Sequence, residues 1–229
     1  MNLDIPYVVC CILAFIPAIV LHEVGHGFAA YKLGDPTAKA AGRLSLNPVK
    51  HIDPFGTVLM PALLMLMNMP VFGYAKPVPY NPMYFKNKKT GDLVVALAGP
   101  GANLVQFLVA AALAWILELT VNSATSGIGY AIAGNIVYQY FYGYFLYLYA
   151  LYNLYLMVFN LIPIPPLDGS SILIFFVPQK HLPTYYSIQR YALPIFMIVV
   201  IVLPYVLNVN PVGWLLQVTA GNLFWLVMP

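Results

Sequence analysis

The sequence predicts an all-α polytopic membrane protein with about five to six transmembrane helices. Of its 229 residues, 62% are hydrophobic and only 7% are charged, whereas a soluble domain carries about 25% charged residues. The apolar residues form long runs, and one span needs about 20 of them. Such a chain cannot cover its surface with polar groups. A soluble enzyme, a disordered chain and a nucleic-acid-binding protein are therefore excluded.

The elements follow from these apolar runs in chain order. Spans are predicted at 5–31, 92–118, 130–162, 191–207 and 211–228. The run 55–73 is shorter and contains Pro61 and Pro70, so it is predicted to re-enter the membrane or to lie at its interface. We expect a single integral-membrane domain, 1–229. It would have a catalytic core at about 5–175 and a C-terminal helical hairpin at about 185–229.

The basic residues predict the orientation of the chain. Eight of the ten Lys and Arg residues lie between Lys32 and Lys89, and the other two are Lys180 and Arg190. Cytoplasmic loops are enriched in Lys and Arg, and all ten fall on one side if 55–73 does not cross. We therefore predict a multi-pass protein of the cell membrane. Its N-terminus would lie outside, and its basic loops and C-terminus on the cytoplasmic side.

The first predicted span contains a motif of ionisable residues, His22-Glu23-Val24-Gly25-His26. Two histidines four residues apart share one helix face, so both imidazoles can bind one metal ion. Glu23 lies beside them and can accept a proton from a metal-bound water, and this spacing is a signature of zinc metalloproteases. Ionisable groups inside an apolar span are costly unless they are paired or functional. The span therefore predicts a catalytic metal site.

A catalytic zinc ion needs a third protein ligand and an open position for water. Asp168 follows the fourth predicted span at its inner end, where the first span also brings the two histidines. Glu118, in contrast, is predicted at the outer end of its span. Asp168 is therefore the favoured third ligand, although an ordinary Asp-Gly turn at the membrane interface remains an alternative for this residue.

Three motifs together resemble the site-2 protease family (peptidase family M50) of intramembrane zinc metalloproteases. They are His22–His26, the stretch Ala98-Gly99-Pro100-Gly101-Ala102-Asn103, and the stretch Asn160-Leu161-Ile162-Pro163-Ile164-Pro165-Pro166-Leu167-Asp168-Gly169. The resemblance covers about residues 5–175. It implies that His22, His26 and Asp168 bind one Zn²⁺ ion per chain and that Glu23 is the general base.

The same resemblance implies roles for two asparagines and a short β segment. Asn103 and Asn160 match positions that help to place the substrate or the polarised carbonyl, and hydrogen bonding between helices is the alternative. Gly42–Pro48 and Asp53–Thr57 resemble a membrane-associated β segment of the family. Within it, Arg43–Asn47 alternates polar and apolar residues and could hold an unwound substrate by strand addition, or could belong to a hairpin that merely packs on the core.

The predicted function is the hydrolysis of peptide bonds within or near transmembrane segments, as in regulated intramembrane proteolysis. The expected partners are the lipid bilayer and membrane-anchored protein or peptide substrates, with no nucleic acid. The chain resembles the small branch of the family, which has neither a PDZ nor a CBS domain. Substrate choice is then expected from the core or from a separate regulatory partner.

Two other classes of function remain alternatives. A metal or proton transporter would need polar residues along several spans, but 191–207 and 211–228 contain almost none. An inactive membrane binding module would have lost Glu23 or a metal ligand, and all four residues are present. A protease with glutamate as the third ligand would have to use Glu118.

Overall fold

The computed structural model describes residues 5–60, 63, 74–123 and 139–229, and the regular structure there is helical. The α-helices are α1 (Ile5–Lys32), α2 (Thr37–Ala40), α3 (Lys88–Ser123), α4 (Tyr147–Asn160), α5 (Ser170–Phe176), α6 (Leu182–Gln189), α7 (Ala192–Met197), α8 (Pro211–Leu216) and α9 (Asn222–Val227). Short 3₁₀-helices lie at Pro48–His51, Pro82–Tyr84 and Gln179–His181, and π-helical segments at Pro54–Leu59, Gln139–Leu146, Ile198–Leu207 and Gln217–Gly221.

Local sequence explains where the long helices end. Helix α1 stops at Lys32, and two residues later Gly34 has a φ of 101°, a conformation that terminates a helix and favours glycine. Helix α3 starts after Asn87, whose side-chain oxygen accepts a hydrogen bond from the Thr90 N–H at 3.2 Å. Helix α4 ends at Asn160, three residues before the first of three prolines that cannot continue a helix.

Helices α1, α3 and α4 form the bundle that carries the candidate site. Helix α3 is antiparallel to α1, because Val95 lies near the C-terminal part of α1 at His26, while Asn103 reaches back to Ala18. A Cβ on Gly25 would come within 2.8 Å of the Ala98 carbonyl oxygen, so glycine permits this close crossing. Helix α4 and the π-helical segment Gln139–Leu146 before it run parallel to α1. The ring of Tyr144 in that segment packs edge-on against Tyr7, and the ring of Tyr152 in α4 packs edge-on against Phe15.

Two helices in the described part of the chain are long and apolar enough to cross a membrane, Ile5–Lys32 and Lys88–Leu119. A third span results if Gln179–Gln189 and Ala192–Leu207, which meet at 55°, count as one. The predicted span 130–162 is helical from Gln139 to Asn160, and its first residues, 130–138, lie outside the described residues. The described residues therefore confirm an all-helical membrane-type chain but not five to six spans.

The C-terminal segment is placed differently from the prediction. Trp115 Nε1 donates a hydrogen bond to the Val227 carbonyl oxygen at 2.8 Å, and the Phe224 ring packs against Tyr147. Trp115 lies twelve residues beyond Asn103, or about 18 Å further along α3. The last helix therefore ends at the opposite end of the bundle from His22. The prediction that the C-terminus lies on the same side as the candidate site is wrong.

The connection between α1 and α3 leaves and returns at one end of the bundle, as antiparallel helices require. Within it, the Tyr74 N–H donates to the Gly56 carbonyl oxygen at 3.1 Å, and Thr57 Oγ1 donates to the Tyr74 carbonyl oxygen at 2.8 Å. Gly56 and Thr57 therefore lie beside Tyr74. The predicted re-entry of 55–73 lies largely outside the described residues.

The predicted β segment is not observed, because no strand forms among the described residues. Gly42 has a φ of 65°, and Pro48 and Pro54 each begin a helical turn. Asn47 and Asp53 cap those turns by accepting hydrogen bonds from backbone N–H groups two or three residues ahead. Capped, proline-initiated turns therefore occupy 48–51 and 54–59, and 43–47 between Gly42 and the first turn is irregular.

Candidate metal centre

Three side chains converge between α1 and the turn that follows α4. His22 Nε2 and His26 Nε2 lie 3.0 Å apart, and Asp168 Oδ2 lies 3.2 Å from the first and 3.3 Å from the second. The side chains are 6%, 11% and 24% exposed respectively. The structure therefore brings together the three residues that the sequence predicts as metal ligands, although they are up to 146 positions apart in the chain.

A tight turn after α4 delivers Asp168 to the histidines. The Gly169 N–H donates to the Asn160 carbonyl oxygen at 2.6 Å, so the chain doubles back to the end of α4. A Cβ on Gly169 would overlap the carbonyl oxygens of Leu161 and Ile162, which explains why glycine follows the aspartate. Helix α5 then begins at Ser170, so Asp168 lies between two helices.

Each histidine uses its other ring nitrogen in a hydrogen bond to α3. His26 Nδ1 lies 2.7 Å from the Val95 carbonyl oxygen, which can only accept, so Nδ1 carries the hydrogen. His22 Nδ1 lies 2.6 Å from Asn103 Oδ1. This arrangement leaves a lone pair on each Nε2, and the two Nε2 atoms cannot hydrogen bond to each other. Metal-binding histidines are oriented in the same way.

The three ligand atoms fit a zinc ion. Tetrahedral coordination with metal–ligand distances of about 2.0–2.1 Å separates two ligand atoms by about 3.3 Å, close to the observed 3.0, 3.2 and 3.3 Å. Asp168 Oδ2 is buried without a hydrogen-bond donor. With neutral imidazoles, three lone pairs point at one small volume, which is unfavourable unless a cation or a proton lies there. Two histidines and one carboxylate are a donor set of catalytic zinc sites.

Glu23 is held by a segment that sequence reasoning did not single out. The Val78 N–H donates to Glu23 Oε2 at 2.9 Å. Val78 belongs to the extended residues 74–81, called here the strap segment, which crosses the candidate site. Pro77 and Pro79, on either side of Val78, favour extended backbone. These two prolines are the sequence feature from which an extended segment could have been predicted here.

Both ends of the strap segment are anchored to the connection after α1. Asp35 Oδ2 accepts from the Asn81 N–H at 2.6 Å, while Arg43 Nη2 donates to the Lys76 carbonyl oxygen at 2.6 Å. Burial opposes ionisation of Asp35, but hydrogen bonds from Thr37 and Asn81 outweigh it and lower the pKa of this carboxyl. The side chains of Asp35 and Arg43 therefore both anchor the strap segment to the connection after α1.

A cavity of about 420 Å³ opens beside His22, Glu23 and Asp168, and Asn160 lies in its wall. The Asn160 amide nitrogen donates to the Leu156 carbonyl oxygen at 3.0 Å. Apolar side chains supply most of the remaining wall: Ile19, Leu156, Phe159, Leu167, Leu193 and Phe196. The cavity therefore offers an apolar chain segment access to the metal ligands and Glu23.

The two predicted asparagines occupy different surroundings. Asn160 lies in the cavity wall, as a residue that contacts substrate would. Asn103 is fully buried and contacts His22, Ala18 and Asn153. The described contacts therefore favour a hydrogen-bonding role between helices for Asn103.

Comparison with known sequences agrees with this geometry. The sequence model of Peptidase family M50 matches residues 10–203. "Putative zinc metalloprotease YwhC" of Bacillus subtilis (strain 168) is 34% identical over 208 residues, which are 91% of this chain and 82% of that protein.

Two mycobacterial relatives carry the name "Putative zinc metalloprotease Rip2". The protein of Mycolicibacterium smegmatis is 31% identical over 71% of this chain and 55% of its own length. The protein of Mycobacterium tuberculosis (strain H37Rv) is 27% identical over 95% of this chain and 73% of its own length. No solved structure matches this chain.

Proposed function

The chain belongs to peptidase family M50, and we propose that it is an intramembrane zinc metalloprotease. The observation that carries the proposal is the triangle of His22, His26 and Asp168 with Glu23 beside it, at the edge of an apolar cavity. The proposed reaction is the hydrolysis of peptide bonds within or near transmembrane segments of membrane proteins, as in regulated intramembrane proteolysis.

His22, His26 and Asp168 would hold one Zn²⁺ ion per chain. When bound, zinc lowers the pKa of a water molecule and polarises the carbonyl of the bond to be cut. Glu23 takes the proton from the attacking water and later gives it to the leaving amine. The Val78 N–H holds Oε2 of Glu23, which leaves the other carboxylate oxygen available for proton transfer.

The substrate would enter as an unwound apolar segment. Peptide bonds inside a transmembrane helix are hydrogen-bonded, so local unwinding must precede attack. The cavity walls formed by Phe159, Leu193 and Phe196 offer apolar contacts to such a segment, while Asn160 offers a polar contact to its freed backbone. Membrane-anchored proteins or peptides are the proposed substrates, selected by the core itself or by a separate regulatory partner.

We further propose a location in the cell membrane with the site toward the cytoplasm. His22 lies ten residues before Lys32, or about 15 Å along α1. Eight of the ten basic residues lie between Lys32 and Lys89, at that same end of α1 and α3. This end is the one expected to face the cytoplasm.

The proposal is tested on purified full-length protein by zinc analysis together with cleavage of a single-span substrate. Glu23→Gln should keep stoichiometric zinc and lower cleavage by at least about 10²-fold, because only the proton acceptor is lost. Cleavage by this variant at the normal rate would overturn the mechanism.

A pair of substitutions tests the third ligand. Asp168→Ala should lose zinc and activity together, whereas Glu118→Ala should keep both, because Glu118 is fifteen residues beyond Asn103 and about 22 Å further along α3. The reverse pattern would overturn the ligand set. Zinc-loaded protein that leaves every tested membrane substrate intact would favour the transporter or binding-module alternatives.

A further inference from the structure

Two asparagine side chains form a buried line behind His22. Asn103 on α3 and Asn153 on α4 are both fully buried. Asn103 Nδ2 donates to Asn153 Oδ1 at 2.7 Å, and Asn103 Oδ1 lies 2.6 Å from His22 Nδ1. The line therefore joins α4 to a metal ligand on α1 through α3, on the side of His22 away from the cavity.

Backbone carbonyl groups determine the direction of every hydrogen bond in this line. The Tyr149 carbonyl oxygen can only accept, and Asn153 Nδ2 donates to it at 2.9 Å, so Asn153 must turn Oδ1 toward Asn103. Asn103 must then turn Nδ2 toward Asn153. The same nitrogen also donates to the Ala18 carbonyl oxygen at 3.1 Å. Asn103 Oδ1 is therefore left facing His22.

This direction decides which nitrogen of His22 carries a hydrogen. Facing an acceptor oxygen, Nδ1 must be protonated, so the lone pair of the neutral ring is on Nε2. If the Asn103 amide were reversed, its NH₂ group would face Nδ1 and favour a hydrogen on Nε2. That form of His22 cannot bind a metal ion through Nε2.

We propose that Asn153 is a positioning residue of the metal centre, which acts through Asn103 to hold His22 in its metal-binding form. The inference rests on the proposed function, since it takes His22 to be a zinc ligand. It goes beyond that function by assigning a role to a residue on α4 that contacts neither zinc nor substrate. It also gives Asn103 a task other than placing the substrate.

The test measures zinc affinity by chelator competition on the purified full-length chain. Asn153→Leu removes the acceptor for Asn103 and should weaken zinc binding by about tenfold, within the 10–100-fold range typical of residues that support metal ligands. The absorption spectrum of the Co²⁺-loaded protein should shift as well. Asn153→Asp in its neutral acid form keeps an acceptor for Asn103 and a donor for Tyr149, so it should restore most of the affinity.

Gln106→Met is the matched control. Gln106 Oε1 accepts a hydrogen bond from the Tyr149 hydroxyl at 2.6 Å across the same α3–α4 interface, but it does not contact Asn103 or His22 through any described hydrogen bond. This variant should lower thermal stability and leave zinc affinity and the Co²⁺ spectrum unchanged.

The possible results separate the inference from the proposed function. His26→Ala must abolish zinc binding; if the unmodified chain binds no zinc, the proposed function fails first. If the chain binds zinc and Asn153→Leu binds it as tightly, the role of Asn153 is overturned. The same conclusion follows if Gln106→Met weakens zinc binding as much as Asn153→Leu, since helix packing alone would then explain the loss.

Discussion

At the scale of the residue, Gly99 and Gly101 show how closely α3 approaches the metal ligands. A Cβ on Gly99 would overlap the imidazoles of His26 and His22, whereas a Cβ on Gly101 would meet nothing within 4 Å. Two glycines in one sequence motif therefore have different reasons to be there. Gly99 makes room for the ligands, and Gly101 does not contact them.

Replacing these glycines by alanine should separate the two roles. Gly99→Ala should weaken zinc binding by at least about tenfold, because the added Cβ would overlap both histidine rings and displace them from their present positions. Gly101→Ala should keep zinc affinity and stabilise α3 by about 0.5–1 kcal/mol, since alanine is the better helix former. Zinc competition and thermal unfolding measure the two effects. Equal losses of zinc affinity in both variants would contradict the steric explanation.

At the scale of the element, the strap segment couples the loop after α1 to Glu23, the proposed general base. Its centre holds Glu23 through the Val78 N–H, and its two ends are held by Arg43 and Asp35. The three proposed zinc ligands lie on α1 and on the turn before α5. Loosening the strap segment should therefore disturb Glu23 and leave zinc binding in place.

Asp35→Asn is expected to slow cleavage while zinc content stays constant. Both carboxylate oxygens of Asp35 accept hydrogen bonds, whereas the asparagine amide has only one acceptor oxygen. It should also destabilise the fold by about 1–3 kcal/mol. The folded pKa of Asp35 is lowered, so its contribution is fully present above the unfolded pKa of about 3.9. That contribution is lost as pH falls through the lower folded pKa.

The difference in stability between the original chain and Asp35→Asn should therefore shrink as pH is lowered below about 4. Thermal unfolding across a pH series measures this. Thr37→Val is the control, because it removes the hydroxyl donor to Asp35 Oδ1 and leaves the Asn81 contact intact. If Thr37→Val slows cleavage as strongly as Asp35→Asn, anchoring of the strap segment is not the reason.

At the scale of the whole molecule, the antiparallel pair of α1 and α3 determines relative sidedness. Lys39 and Lys88 belong to the connection at one end of this pair, and Ser123 ends α3 at the other. Single cysteines at these positions, with Cys10 and Cys11 replaced, should report the orientation. A membrane-impermeant thiol reagent applied to whole cells should label position 123 and neither 39 nor 88 until the cells are permeabilised.

Two other labelling patterns are informative. Labelling at 39 and 88 but not at 123 would put the metal centre on the outer side. Labelling at 88 but not at 39 would contradict the antiparallel arrangement of α1 and α3, and with it the convergence of Asp168 on the histidines.

Sequence alone predicted the long apolar helices α1 and α3, and it predicted the grouping of His22, His26 and Asp168. Composition can be evaluated without knowing the fold. His22 and His26 are four residues apart, and this spacing alone places them on one face of a helix. Asp168 was predictable because the predicted spans 5–31 and 130–162 run in the same direction, so that their C-terminal ends lie at similar depth. These predictions depend on helical periodicity or on the alternation of successive spans between the two sides of the membrane. Neither requires knowledge of side-chain contacts.

Only the tertiary structure decided which side chains support the site. Asn103 lies behind His22 rather than in the cavity, Val78 holds Glu23, and Asp35 and Arg43 anchor the strap segment. The C-terminal helix turned out to end against Trp115, and the predicted strand at Arg43–Asn47 did not form. The side-chain contacts and the position of the C-terminal helix depend on hydrogen bonds or packing between residues distant in sequence, which form only when the helices pack. A strand at 43–47 would likewise need a neighbouring strand to pair with, and alternation within five residues does not supply one.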